Sequence, residues 1–176
     1  AFQRVFASAR WSIDRAGLAV FDLITAGASA VLLSVDDTLL PRFGLKIFGT
    51  GMHRDPVLSS RGHVITRWGH CWVVLCVVIE SRHAPGRCLS LPVLSRMYLN
   101  KSAAEKWQRA YRTKNELMRD MLALLERHVA GSEKRLHLLA DSAFTAPAVL
   151  NQLPPSIAVT GRVGAGVRIH QPPPPR

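Results

Sequence analysis

The longest unbroken apolar run in the chain lies near its middle, in the stretch HCWVVLCVVIE (His70–Glu80). Its nine consecutive apolar residues are rich in valine, a pattern typical of a central strand that is covered on both faces. The run is too short to cross a bilayer as a helix. We therefore predict that this segment forms the middle of a β-sheet.

Shorter patterns predict three further strands. The segment Trp11–Ala26 is predicted to be a helix that stops at Gly27, and a strand follows it from Ala30 to Val35. Apolar runs after the middle of the chain predict a strand over Leu136–Ala140 and another near residues 156–160, in SIAVTGRV.

A second helix has the clearest boundary signals. Thr113 and Glu116 have the spacing of a capping box, and Gly131 supplies a stop. One face of this helix carries Leu117, Met121, Leu124 and His128. We interpret His128 there as a packed or partly exposed side chain rather than a metal ligand. A third helix is predicted to begin near Ala146.

The remaining segments are predicted to be irregular. Pro41–Arg61 is too long for a hairpin loop, Ser81–Lys101 contains two prolines and several basic residues, and the final HQPPPPR cannot continue a sheet. The order helix, strand, long loop, strand, helix, strand, helix, strand predicts an α/β fold with a sheet of mixed direction.

Composition narrows the class of protein and of partner. The chain has 176 residues, 48% of them apolar, which suits one globular domain with a core and excludes a wholly disordered polypeptide. Its formal net charge of +11, from 23 basic and 12 acidic residues, attracts polyanions. Nucleic acid is the first partner to test, although solvated surface lysines produce the same total.

Cysteine usage favours a reduced, cytoplasmic protein. Cys71, Cys76 and Cys88 contain no CxxC pair, which argues against both a disulfide framework and a zinc ribbon. Arginines precede the largely apolar stretch 16–35, as in a secretion signal or membrane segment. Asp22 interrupts that stretch, so we favour the helix and strand given above over a secreted or membrane protein.

Candidate chemistry lies where the first predicted strand ends, in LLSVDDTLLPRFGLK (residues 32–46). Asp36 and Asp37 follow an apolar run, and Asp141 follows the third predicted strand. Because adjacent residues on a strand point to opposite faces, only one of the first two acids converges with Asp141, and Thr38 shares the face of Asp36. Two such carboxylates repel each other unless they are protonated or bridged by a divalent cation, and oxygen ligands favour Mg²⁺ or Mn²⁺. The pattern fits a metal site, and it fits two structural strand ends at least as well.

Six segments, in order, carry a family resemblance: SVDDTLLPRFGLKIFGTGMHRDPV, WGHCWVVLCVV, SRMYLNK, YRTKNELM, LLADSAFTAPAVLNQL and VTGRVGAGVRIHQPPPPR. Together they resemble the catalytic domain of bacterial insertion-sequence transposases, the DDE superfamily endonucleases with an RNase H-like fold. The resemblance implies a helical lead-in over residues 1–29, a partial RNase H-like catalytic domain over 30–170, and a proline-rich end over 171–176.

The resemblance also implies roles for individual acids. The family's first acid stands in a D-x-T pattern, which matches Asp36 with Thr38, and its second acid follows a later strand, which matches Asp141. Both are expected to be catalytic and to help hold two Mg²⁺ or Mn²⁺ ions during DNA cleavage and strand transfer. The family's third acid, usually a glutamate, has no counterpart before Arg176, so the sequence is expected to be truncated at its C-terminus. Asp37 is expected to have a structural or supporting role.

Basic residues are candidates for binding phosphate: Arg42, Lys46, His53 and Arg54 after the first acid, and Lys114 at a helix N-terminus. The expected partner is DNA, both transposon ends and target, bound by a homodimer in the bacterial cytoplasm in association with the nucleoid. Two alternatives stay open. One is a DNA-binding transposase remnant that lacks the third carboxylate and cannot catalyse, and the other is an RNase H-like nuclease that acts outside transposition.

Overall fold

The computed structural model describes residues 8, 11–60, 62–81 and 83–162. These residues contain six strands in one mixed sheet and four helices. In chain order the elements are α1 (Ile13–Ile24), β1 (Ala30–Pro41), β2 (Gly51–Arg54), β3 (Thr66–Glu80), β4 (Cys88–Tyr98), α2 (Lys101–Lys106), α3 (Lys114–Val129), β5 (Arg135–Ala140), α4 (Pro147–Leu150) and β6 (Ala158–Gly161).

The sheet is built around β1, which is hydrogen-bonded on both sides. β3 runs antiparallel to β1 on one side, and β5 runs parallel to it on the other, followed by β6 parallel to β5. β2 and β4 both pair antiparallel with the outer side of β3, at residues 66–69 and 71–80 respectively. This architecture confirms the predicted α/β sheet of mixed direction and is an RNase H-like arrangement.

β3 contains the predicted middle strand, and its two faces have different surroundings. Val73, Leu75 and Val77 are buried in one core with side chains of α1 and α3. Trp72 and Val74 alternate with them, are only half-buried, and line an open cavity on the other face. Within the described residues one face is covered, whereas the apolar run predicts two. An apolar run indicates that neither face of the strand carries charged side chains. It does not indicate which other elements pack against each face.

The prediction that Ser81–Lys101 is irregular is wrong, because Cys88–Tyr98 forms β4. Pro92 lies at a register shift in the pairing with β3, between Leu75 and Cys76. A proline has no N–H to donate, and it is tolerated at a bulge and on a strand that has one hydrogen-bonded neighbour. Proline content alone therefore does not exclude a strand at the edge of a sheet.

The first strand is longer than predicted. β1 continues beyond Val35 to Pro41 because β3 pairs with it along that whole length. Asp36 and Asp37 therefore lie inside a strand rather than just after one. The long loop predicted over Pro41–Arg61 contains β2, a short strand that pairs with the start of β3.

α1 packs closely against β4. The helix begins after Ser12, whose side chain accepts a hydrogen bond from the backbone N–H of Arg15, and Gly27 follows it with a φ of 74°. At Gly17 a Cβ atom would lie 1.9 Å from the carbonyl oxygen of Val93 in β4. The absence of a side chain at this position allows the helix and the strand to meet.

α3 has the capping box that the sequence predicts. The Thr113 hydroxyl accepts a hydrogen bond from the backbone N–H of Glu116, and the Glu116 carboxylate accepts one from the backbone N–H of Thr113. The buried face of the helix carries Leu117, Met118, Met121, Leu122 and Leu125. His128 Nε2 lies 2.8 Å from Asp22 Oδ1 of α1, so this histidine pairs with the acid that interrupts the N-terminal apolar stretch.

The last elements lie close to their predicted positions. β5 contains the strand predicted over 136–140, and β6 overlaps the one predicted near 156–160 but begins only at Ala158. α4 begins next to Ala146 but is short. The proline-rich end lies outside the described residues. Among the residues described, no helix has the length and hydropathy needed to cross a membrane.

Replacing Gly17 with alanine is expected to lower the free energy of unfolding by about 1–3 kcal/mol, because the new Cβ atom pushes α1 away from β4. Gly62→Ala is the matched control. A Cβ atom at Gly62 meets no atom within 4 Å, so we expect a change below about 0.5 kcal/mol. Urea denaturation measures both variants, and equal stabilities would contradict the close packing at Gly17.

Candidate active site

Two carboxylates come together where the pairing of β1 with β5 ends. Val35 and Ala140 are the last paired residues, and Asp36 and Asp141 follow them directly. Neighbouring strands lie about 4.8 Å apart, and residues level with each other on parallel strands point to the same face. Asp36 and Asp141 both line one open cavity of about 1040 Å³. The two acids singled out from the sequence therefore share one site.

Each of these carboxylates has one oxygen held by the backbone. Asp36 Oδ1 accepts a hydrogen bond from the N–H of Asp37 at 2.7 Å, and Asp141 Oδ1 accepts one from the N–H of Ala143 at 2.9 Å. Within the part of the chain that the structure describes, no hydrogen bond occupies the Oδ2 atom of either acid. Both side chains are exposed, so each has an oxygen available for a ligand.

This donor set fits a hard divalent cation, but it supplies only some of the ligands. Carboxylate oxygens are the ligands that Mg²⁺ and Mn²⁺ prefer, and Mg²⁺ is commonly bound through one or two carboxylates with water and substrate phosphate. No group of three or more His, Cys, Asp or Glu residues suited to a metal ion occurs among the described residues. Asp36 and Asp141 would therefore hold an ion together with water or with phosphate oxygens.

The cavity combines an apolar floor with a few polar side chains. Its apolar lining includes Leu40, Trp72, Val74, Pro92 and Leu139. Ser34, Thr38, Thr160 and Arg162 are among the polar residues that line it. The backbone N–H of Arg162 donates to the carbonyl oxygen of Ala140 at 3.2 Å, which places this arginine beside Asp141. Arg162 is not among the phosphate contacts predicted from the sequence. Its position directly after the last predicted strand was the one feature that could have suggested it.

Asp37 lies on the opposite face of β1 from Asp36. Its Oδ2 atom accepts a hydrogen bond from Lys114 Nζ at 2.8 Å, and the thiol of Cys71 approaches the same oxygen at 3.6 Å. Lys114 Nζ also stands 5.3 Å from the centre of the Tyr98 ring. Burial is the largest single influence on the pKa of Lys114 and lowers it, but the hydrogen bond to Asp37, together with the interactions with the Asp37 carboxylate and the Cys71 sulfur, outweighs burial and raises the pKa above its ordinary value. The lysine stays charged and ties the start of α3 to β1.

His53, one of the predicted phosphate contacts, is buried, with 7% of its surface exposed. Its ring centre lies 5.8 Å from that of Tyr98, and its Nε2 atom has no hydrogen-bond partner among the described residues. Burial lowers the pKa of His53, and the charge of nearby Lys114 lowers it further. The imidazole is therefore neutral at pH 7 and shielded from solvent.

The other four predicted phosphate contacts fall into two groups. Arg42, Lys46 and Arg54 are exposed, the first two in the loop after β1 and the third at the end of β2. Lys114 is engaged by Asp37 on the face away from the two cavity acids. The structure thus leaves three of these side chains free to meet a ligand and holds Lys114 within the fold.

The whole chain matches a known family. A family model described as DDE superfamily endonuclease matches residues 1–176. No curated protein and no solved structure gives a significant match to the chain.

Replacing Lys114 with methionine is expected to lower the free energy of unfolding by about 1–2 kcal/mol, because it leaves the carboxylate of Asp37 partly buried and unpaired. Adding Asp37→Asn to this variant removes the unpaired charge and should recover part of the loss. Urea denaturation of the two single variants and the double variant measures the coupling. Strictly additive losses would contradict the pair.

Stability is expected to fall as the pH decreases below about 6.5, the ordinary pKa of histidine. The pKa of His53 is lowered in the folded chain, so in this range the unfolded chain takes up a proton that the folded chain excludes. His53→Phe keeps a ring beside Tyr98 and should remove this contribution. We expect the wild type to lose more stability than His53→Phe between pH 7.5 and pH 5, and parallel losses in urea denaturation would refute the assignment.

Proposed function

This chain belongs to the DDE superfamily of endonucleases, and we propose that it is a transposase domain that cuts DNA and joins strands during the transposition of an insertion sequence. The observation that carries the proposal is the pairing of β1 with β5, which brings Asp36 and Asp141 to neighbouring positions on one open face. Carboxylates that stand this close suit a metal site for phosphodiester chemistry. We assign these two acids as catalytic.

DDE superfamily enzymes generally use divalent metal ions, and we propose Asp36 and Asp141 as ligands of two Mg²⁺ or Mn²⁺ ions. When bound, such ions activate the attacking water or DNA 3′-hydroxyl and stabilise the leaving oxygen. The chain contributes by holding Oδ1 of each acid through a backbone N–H, which fixes the carboxylates and leaves Oδ2 available. The hydroxyl of Thr38, in the same cavity, is placed to donate a hydrogen bond to a phosphate oxygen.

DNA, in this proposal, lies across the open face of the sheet. The formal charge of +11 favours its approach, and exposed arginines and lysines bind phosphates without reading the base sequence. Arg42, Lys46 and Arg54 supply such charges, and the cavity residue Arg162 adds one beside Asp141. His53 and Lys114 support β2 and Asp37 from the other face rather than touching DNA.

We propose further that the protein acts as a homodimer on two transposon ends and a target. It would do so in the bacterial cytoplasm, in association with the nucleoid. The second candidate is a DNA-binding remnant without catalytic activity. It is favoured by the absence of a third convergent acid from the described part of the chain. The two candidates differ in whether metal-dependent cleavage accompanies DNA binding.

Asp36→Asn and Asp141→Asn are each expected to weaken Mn²⁺ binding roughly tenfold or more, because each removes a charged ligand. Isothermal titration calorimetry measures this affinity independently of activity. In a plasmid-cleavage assay with Mg²⁺, both variants should be inactive under conditions in which the wild type cuts.

Two matched acid-to-amide variants serve as controls. Glu133→Gln lies before β5, at the opposite end of that strand from Asp141, and should keep the wild-type Mn²⁺ affinity. Asp37→Asn should also keep it, because this side chain leaves the other face of β1. Loss of Mn²⁺ binding in Asp37→Asn but not in Asp36→Asn would reverse the assignment of the first acid. A wild type that binds DNA but never cleaves it would favour the remnant.

A further inference from the structure

The loop between β1 and β2, residues 42–50, presents an exposed apolar tip. Phe43 has 97% of its surface exposed and Leu45 has 72%. Large apolar side chains gathered on a surface mark sites where another molecule binds. Neither residue has a role in the metal site described above, so the tip calls for its own explanation.

The backbone of this loop is pinned at its carbonyl groups. Trp68 Nε1 donates to the carbonyl oxygen of Gly44 at 3.0 Å, Lys106 Nζ donates to that of Leu45 at 2.9 Å, and His70 Nε2 lies 2.8 Å from that of Phe48. These side chains come from β3 and α2, two elements outside the loop. A tip fixed in this way loses little freedom when it binds a ligand.

The loop folds over the same face of the sheet as Asp36. Trp68, His70 and Trp72 occupy every second position of β3, so their side chains lie on the same face of the sheet. Trp72 lines the cavity, so this is the face of the cavity. In the pairing of β3 with β1, Val74 is level with Asp36. Trp68, which holds the carbonyl group of Gly44 next to Phe43, lies six residues from Val74, roughly 20 Å along the strand. That length corresponds to about six nucleotides of a stacked DNA strand at 3.4 Å each.

The charges around the tip favour an anionic partner over an apolar protein surface. Arg42 and Lys46 flank Phe43 and Leu45 in sequence and are exposed. Arg109 lies at the base of the loop, with its guanidinium carbon 6.0 Å from the Phe48 ring centre. Exposed aromatic side chains set among basic ones are the means by which proteins hold unpaired bases, which stack on the ring while phosphates meet the cations.

We propose that Phe43 stacks on an unpaired base of the DNA substrate, about six nucleotides from the phosphodiester held at Asp36 and Asp141. Arg42 and Lys46 bind the phosphates on either side of that base. The inference rests on the proposed function, because it requires DNA on this face. Its occupant is single-stranded or locally opened DNA, since a fully paired duplex offers phosphates but no free base face.

The test compares Phe43→Ala with the wild type on a labelled single-stranded oligonucleotide and on the fully paired duplex of the same sequence, by fluorescence anisotropy. Phe43→Ala should bind the single strand roughly 5- to 150-fold more weakly, and Phe43→Trp should restore binding. Val57→Ala is the matched control, because Val57 is 88% exposed but lies in the turn after β2. It should bind both forms of DNA as the wild type does.

Salt dependence separates stacking from phosphate contact. Phe43→Ala should keep the slope of log affinity against log salt, whereas Arg42→Ala should reduce its magnitude by roughly 0.7 to 0.9, the share of one phosphate. A wild type that binds neither form of DNA would contradict the proposed function itself. Normal duplex binding, with Phe43→Ala equal to the wild type on the single strand, would overturn the stacking inference alone. A change only in self-association, seen by sedimentation velocity, would assign the tip to a second copy of the chain and would also overturn it.

Discussion

The register of β1 between β3 and β5 is the constraint on which the candidate site depends. Side chains alternate strictly along a strand, so a shift of one residue would exchange Asp36 and Asp37 between the two faces of the sheet. The register is held by the residues that β1 buries beneath the helices, Val31, Leu33 and Val35. A slip would expose these three side chains on the open face and bury polar ones in the core. Core packing therefore decides which acid meets Asp141.

Adjacent acids consequently have different tasks. Asp37 is partly buried, and Lys114 compensates its charge, because an unpaired carboxylate at such a position costs several kcal/mol. Asp36 is exposed and shares a cavity with Asp141. Two carboxylates in one cavity favour a cation between them, since a cation relieves their repulsion. Asp37 thus fixes α3 against the sheet, whereas the preceding residue, Asp36, stays exposed in the cavity.

The parts of the fold that were predicted correctly are those encoded in local patterns. The four predicted strands lie in the sheet because each is an apolar run that fills the core, and the capping box at Thr113 requires only two residues three apart. Alternation along the strands predicted that only one of Asp36 and Asp37 converges with Asp141, and the D-x-T pattern of the family resemblance selected Asp36. β4 was missed because its proline sits at a bulge, which no local pattern distinguishes from a loop.

What the sequence did not reveal depends on contacts between distant residues. The pair Lys114–Asp37 joins positions 77 apart, and Trp68 pins a loop carbonyl 24 positions away. Residue type and position in the sequence suggested Lys114 and His53 as phosphate contacts. The sequence does not show that Asp37 pairs with Lys114 or that His53 is buried. The roles of Arg162 and Phe43 depend on their positions relative to the open face of the sheet, which only the folded chain defines.

The most direct test of the central claim is the position of a metal ion. Crystals of the protein with DNA, soaked in Mn²⁺, allow the ion to be located by its anomalous scattering. We expect a Mn²⁺ peak coordinated by carboxylate oxygens of both Asp36 and Asp141 on the open face of the sheet. A peak at Asp37 on the opposite face, or bound DNA with no Mn²⁺ between the two cavity acids, would contradict the assignment of the site.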